Sequence, residues 1–310
     1  MFNYLIDKIK ETKFESYPFK HLTINNFFHE KDFQKIISDP QILRPVASSH
    51  VELIDDLIDQ GYTQQHFPGC ITSIQHYLEF LNNPQEKFNR KLIEGYGRNI
   101  IAGYGLTMRL KKIRSSFLED LLGFLNDSPF QNCLTEKFGI AHTHYIETAY
   151  QKNLHGYEIS PHADTRKKAL TYMVNIYTEQ EAEQMPIHTH LMKFKPKYQY
   201  LYDFWKYNGD IDTCWVPWNW CDTVKQTNQN NSITIFKPAF DTLHAVKLDY
   251  NHLSQQRNQI YGNLWYHESP SNYGSGFQQI DLVKMHESFK LGPQKLSAKI
   301  GRKIAKMMGA

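Results

Sequence analysis

The chain has 310 residues and a net charge of +3 with histidine neutral; 41% of its residues are hydrophobic and 14% aromatic, enough to bury a sizeable core. Its four cysteines, at positions 70, 133, 214 and 221, make no C-x-x-C pair, which excludes a zinc-knuckle or thioredoxin signal and fits a reducing compartment. No apolar run approaches the ~20 residues of a spanning helix, and MFNYLIDKIKETK is charged too early for a secretion signal, so a cytoplasmic protein is expected.

In chain order, PFKHLTINNFF (18–28) reads as a short strand entering a turn. EKDFQKIISD then carries helical spacing through Phe33, Ile36 and Ile37, and Pro40 and Pro45 break it. Residues 71–93 read as helical. Ser116 and Glu119, three apart, resemble a capping box that opens the apolar run FLEDLLGFL. The first 135 residues are therefore expected to be mixed and mainly helical.

After Phe138 the pattern changes. IAHTHYIETAY, GYEISPHAD, ALTYMVNIY, NSITIFKP, HAVKLDY and QIYGNLWYH are short, β-branched or aromatic, and separated by polar turns. Such strands without helices between them predict a sandwich or barrel rather than an α/β sheet. The stretch 178–223, with Trp205, Trp215, Trp218 and Trp220, is too long for a hairpin connection and reads as an insertion or lid. Its tryptophans suit either packing or a substrate wall.

SPSNYGSG follows His267 as a turn-rich break. From Lys284 on, seven basic residues stand against the single acid Glu287, a charge of +6 that leaves −3 for residues 1–283. Lys295–Met308 is an amphipathic helix candidate, with Leu296, Ile300, Ile304, Met307 and Met308 on one arc and five basic residues on another. A solvated helix and an anionic membrane surface met through residues 290–310 are both open; nucleic acid is not expected, because no aromatics interleave the basic patch. The expected organisation is one catalytic domain over 1–283, with its β core at about 138–268, and a basic tail over 284–310.

Within that frame, His162 and Asp164 stand two apart at the end of a strand, so both reach the same side. His244 opens another strand after the turn-like PAFDT. Two imidazoles and a carboxylate suit iron(II) and leave coordination positions for substrates. Arg257 follows thirteen residues after His244, and a guanidinium fork suits a carboxylate. The ordered set, in strand-like contexts, resembles the iron(II)/2-oxoglutarate-dependent oxygenases, and their prolyl-hydroxylase-like branch in particular, over roughly Ile140 to Tyr266. AYQKNLHGYEISPHAD, NSITIFKPAFDTLHAV and RNQIYGNLWY carry the likeness.

The resemblance implies a mainly β protein with α additions: a double-stranded β-helix (jelly-roll) core flanked by N-terminal helices and a C-terminal amphipathic helix. It implies that His162, Asp164 and His244 ligate iron(II), that Arg257 pairs with the distal carboxylate of 2-oxoglutarate, and that Tyr150 adds a hydrogen bond to it. O2 is the second co-substrate, with ascorbate as an auxiliary reductant. The activity implied is a dioxygenase that hydroxylates an unactivated C–H. Halogenating relatives lack the metal carboxylate, so Asp164 favours hydroxylation. Two departures stand out: 82 residues separate His162 from His244, and no small hydroxyl residue follows Arg257.

For the substrate, the aromatic stretch and basic tail point to a lipid-linked sugar at the inner face of a membrane. Enzymes that hydroxylate the Kdo sugar of lipopolysaccharide belong to this superfamily; a protein side chain or free metabolite is the alternative. Two readings from other classes compete: a cupin-like dioxygenase using His142, His144 and Glu147, and a metal-free binding module that has lost chemistry. The pair His188 and His190 reads as polar strand ends rather than as ligands.

Overall fold

The computed structural model describes residues 2–43, 46–65, 73–82, 105–141, 144–208 and 215–268. Seven α-helices lie among them: α1 (Asn3–Glu11), α2 (Glu30–Ile37), α3 (His50–Asp59), α4 (Ile74–Asn82), α5 (Ser116–Leu125), α6 (Ser128–Phe138) and α7 (Tyr200–Tyr207). The strands are β1 (His21–Ile24), β2 (Tyr62–Gln64), β3 (Thr107–Leu110), β4 (His144–Asn153), β5 (Glu158–His162), β6 (Lys168–Asn175), β7 (Thr189–Phe194), β8 (Cys221–Gln226), β9 (Ser232–Phe236), β10 (His244–Lys247) and β11 (Arg257–Tyr266).

They form two sheets, one of seven strands in the order β1-β9-β6-β11-β4-β3-β2 and one of four in the order β5-β10-β7-β8. Every neighbouring pair is antiparallel. The eight strands from β4 to β11 divide between the sheets: β4, β6, β9 and β11 in the large one, β5, β7, β8 and β10 in the small one. That is the strand order of a jelly roll, the double-stranded β-helix expected from the sequence.

Alternation sorts the side chains of the large sheet. Tyr150, Leu170, Tyr172, Val174, Ile260 and Leu264 turn outward and pack with Leu5 and Ile9 of α1, Leu118, Leu121 and Leu125 of α5, and Phe130 and Leu134 of α6. Gln151, Thr171, Met173, Gln259, Tyr261 and Asn263, of opposite parity, line the space between the sheets. The apolar helices thus cap one face, and the polar face is kept for the interior. Gly262 permits this packing where Tyr172 crosses it, because an added Cβ would lie 2.0 Å from the tyrosine ring.

Two expectations need correction. The stretch 178–223 is not one insertion, since it contains β7 and the first half of β8, both strands of the small sheet; the excursion between them covers 195–220. β7 was hidden because its neighbourhood is rich in charge, and β8 because most of its residues face solvent. The cap of α5 is Ser115, not Ser116: Ser115 has an extended backbone and its side chain accepts from Leu118 N. The helix expected over 71–93 is present as α4, and residues 83–93 lie outside the described residues, as does the tail over 284–310.

Candidate metal centre

His162 ends β5 and His244 opens β10, and the two residues face each other directly in the β5–β10 register. Asp164 lies just beyond β5, two residues from His162. The ligand atoms of His162, Asp164 and His244 all lie within 4.8 Å of one another, and the three are the one such set among the described residues. His162 Nε2 is 3.9 Å from Asp164 Oδ1, and His244 Nε2 is 3.8 Å from Oδ2.

Both rings are oriented the same way. His162 Nδ1 meets Ser160 O at 2.8 Å and His244 Nδ1 meets Thr242 O at 3.0 Å. A carbonyl can only accept, so Nδ1 carries the proton in each ring and Nε2 presents its lone pair to the common point. Burial pushes the His162 pKa down to about 3 against the opposing pull of Asp164, and burial likewise lowers that of His244. Both are neutral at physiological pH, as ligation requires.

Asp164 is buried, and burial alone would raise its pKa. The Lys168 ammonium, which also donates to it, outweighs that and holds it well below the usual carboxylate range. Lys168 Nζ donates to Oδ1 at 2.8 Å, and Thr171 Oγ1 donates to Oδ2 at 2.7 Å. Lys168 also reaches Tyr261 Oη at 3.1 Å, and Thr171 reaches Asn263 Oδ1 at 3.2 Å. Two neutral imidazoles and an ionised carboxylate converge on one point, a donor set that fits iron(II).

The three residues line a cavity of about 280 Å³ between the sheets. Arg257, the first residue of β11, lines the same cavity and is 2% exposed. Its Nη1 donates to Asn153 Oδ1 at 2.7 Å and its Nη2 to Thr189 Oγ1 at 2.9 Å, while its Nε has no partner. Among the described residues no carboxylate lies within ion-pair distance of it. Burial lowers its pKa, and the surrounding Tyr177, Tyr157 and Tyr250 oppose that shift. Thr189 faces Val246, two residues along from His244, a step of about 7 Å on a strand. A buried guanidinium without a counter-ion therefore stands one short span from the triad.

Tyr150 is not part of this site. It lies on the helix-facing side of β4, fully buried, and its hydroxyl donates to Leu118 O at 2.9 Å. The parity of β4 turns Gln151 and Asn153 into the interior instead. His142 lies outside the described residues. His144 and Glu147 are three apart on β4 and so point to opposite sides; Glu147 is bound by Arg109 and Trp265. His188, just before β7, meets Tyr177 at 3.1 Å, and His190 of β7 meets Thr223 at 2.9 Å, so both are held in hydrogen bonds away from the triad.

Of the four tryptophans, Trp215 lines the cavity, with its Nε1 buried and unpartnered. Trp205 is core packing, Trp218 donates to Glu158 Oε1 at 3.0 Å, and Trp220 stacks on Tyr198. Lys168, Thr171, Asn153 and Thr189 escaped the sequence reading, whereas Trp215 was among the tryptophans read as packing or a substrate wall. Spacing alone could have flagged Lys168 and Thr171, four and seven residues after Asp164; Asn153 and Thr189 arrive by strand pairing.

No family model matches the chain, and no curated protein matches its sequence. In structure it is similar to prolyl hydroxylases and other 2-oxoglutarate–iron(II) oxygenases. A prolyl hydroxylase from Trichoplax adhaerens, solved with a hypoxia-inducible-factor peptide, aligns over 85% of this chain and 88% of its own, at 9% identity and a TM-score of 0.41. A Pseudomonas putida prolyl-4-hydroxylase aligns over 70% and 99%, at 12% identity and a TM-score of 0.34. HygX from Streptomyces hygroscopicus, solved with nickel and 2-oxoglutarate, aligns over 71% and 88%, at 9% identity and a TM-score of 0.31. At such low scores the likeness carries no argument about what this chain does.

Proposed function

We propose that the protein is an iron(II)- and 2-oxoglutarate-dependent dioxygenase that hydroxylates an unactivated C–H of an organic substrate. One observation carries the reading: the His162–Asp164–His244 cluster shares a cavity with Arg257, a buried cation whose hydrogen-bond acceptors are neutral and whose Nε is unpartnered. A buried charge without a partner is costly, so the cavity is built to receive an anion. A dicarboxylate with one end at the triad and the other at Arg257 meets both demands.

His162, Asp164 and His244 would hold the metal, which with 2-oxoglutarate and O2 supplies the oxidising power for C–H hydroxylation. Arg257 binds the distal carboxylate through its fork, helped by the Thr189 hydroxyl beside it. Ser160 O and Thr242 O keep both imidazoles in the ligating tautomer. The two sheets wall the triad and Arg257 on both sides. On the large sheet Arg109, Glu147 and Gln151 stand beside the rings of Tyr261 and Trp265. That mixture suits a hydroxylated ring such as a sugar. At about 280 Å³ the cavity is at the small end for ligand pockets, roughly 300–1,000 Å³, which favours one ring or side chain over a large group. No helix among the described residues is long and apolar enough to cross a membrane.

The test is iron-dependent release of succinate from 2-oxoglutarate by the purified chain. His162→Ala should abolish it. Turnover that survives this substitution would overturn the ligand assignment, and a chain that takes up no metal and releases no succinate would return the protein to the class of metal-free binding modules.

A further inference from the structure

The carboxylate of Asp164 is held at both ends by unlike groups. Lys168, on β6 and 7% exposed, places a cation 2.8 Å from Oδ1. Thr171, three residues on and past a break in the β6–β11 register that lets both side chains face the cavity, places a neutral hydroxyl 2.7 Å from Oδ2. A carboxylate oxygen has two lone-pair directions, so an oxygen that accepts from a neutral hydroxyl can still bind a metal. The other oxygen faces an ammonium, which repels a second cation at such short range. Lys168 is itself fixed, through its contact with Tyr261 Oη and between the rings of Tyr261 and Trp265, 5.7 and 5.4 Å away. It has no room to drift off Oδ1 without losing those contacts.

From this geometry we infer that Lys168 is a positioning residue that keeps Asp164 monodentate: Oδ2 is the metal ligand and Lys168 bars Oδ1. The inference rests on the function proposed above. The two imidazoles and one oxygen then fill three positions and leave the rest for 2-oxoglutarate and O2. If both oxygens chelated, one of those positions would close. Lys168 would thus protect co-substrate binding while weakening metal binding, because its charge opposes that of the metal. These opposed effects separate a positioning role from a structural one, which would lower both together.

The experiment titrates the full chain with Co(II), then titrates the cobalt form with 2-oxoglutarate, following heat and the visible cobalt bands. Lys168→Met keeps the length and removes the charge. The expected result is Co(II) affinity that holds or rises by about tenfold, 2-oxoglutarate affinity that falls by about tenfold, and altered cobalt bands before 2-oxoglutarate is added. Lys168→Arg should restore wild-type bands and bring both affinities within about threefold. Affinities of Lys168→Met within twofold of wild type for both ligands, or a joint loss of both with folding intact, would overturn the inference. Should Lys168→Met not fold, Thr171→Val carries the test: Lys168 still bars Oδ1, so the bands stay as in wild type, and a shift in them would overturn it. Wild-type protein that binds no Co(II) would instead defeat the function proposed above.

Discussion

At the scale of single residues, Arg257 is the side chain whose chemistry is least satisfied by the fold itself. Its neutral acceptors, Asn153 and Thr189, position the fork without neutralising it. Arg257→Ala removes the charge that an incoming carboxylate would meet. Hydrogen bonds to charged groups contribute about 1.5–3 kcal/mol each, so two of them correspond to a KM for 2-oxoglutarate raised at least a hundredfold. Arg257→Lys should recover only part of this, because an ammonium is a point charge where the site offers a fork's geometry. Steady-state succinate release across a 2-oxoglutarate series measures both. Gly262 makes a second prediction at this scale. Tyr172, fully buried and hydrogen-bonded to Thr148 at 2.6 Å, occupies the space a side chain would need. Gly262→Val should cost about 1–3 kcal/mol by overpacking, read as a lowered urea midpoint.

At the scale of elements, the excursion between β7 and β8 does more than bridge two strands. Val216 N donates to Pro161 O at 2.8 Å, so the segment runs along the free edge of β5, beside His162. Trp205 of α7, 2% exposed, packs with Phe194, Val216 and Leu243 and ties the excursion to β7 and to the approach to β10. Trp205→Ala should cost about 3–5 kcal/mol and weaken metal retention, since the edge of β5 would lose its cover. Thermal melting with and without Co(II) checks it: the mutant should lose part of the metal-induced rise in Tm. Much of the core was legible from sequence at this scale. β4, β6, β9 and β11 carry alternating or continuous apolar runs with polar turns between them, and His162, Asp164, His244 and Arg257 sit at strand ends, where spacing shows. β7 and β8 were not legible: β7 is an interior strand set in a charge-rich stretch, and CDTVKQ of the edge strand β8 holds charges that face solvent. Tyr150 was misread for a related reason: alternation shows that residues of β4 face two ways, but only the pairing of Arg257 with Asn153 shows which way faces the cavity.

At the scale of the whole molecule, buried histidines bind distant parts of the chain and set its response to acid. His252, 1% exposed, lies between β10 and β11; its Nε2 meets His50 Nδ1 of α3 at 2.8 Å, and its Nδ1 approaches the backbone N–H of His155 at 3.4 Å. His188 is held by Tyr177 and by Glu183 O, and His162 by Ser160 O. Burial lowers all three pKa values, to about 3 for His252 and His162 and about 4 for His188. Each folded value lies below the ordinary 6.5 of imidazole, so as pH falls the unfolded chain takes up protons first. Stability is therefore complete above pH 6.5 and is lost progressively towards the folded values. Each group contributes about 1.4 kcal/mol per pH unit in that window, and three together at most about 4. Urea midpoints of the metal-free protein should fall from pH 6.5 to pH 4.5, and His252→Gln should make that fall shallower. A midpoint that stays level down to pH 5 would mean that these imidazoles fold protonated. Such a result would also remove the neutral His162 on which metal ligation depends.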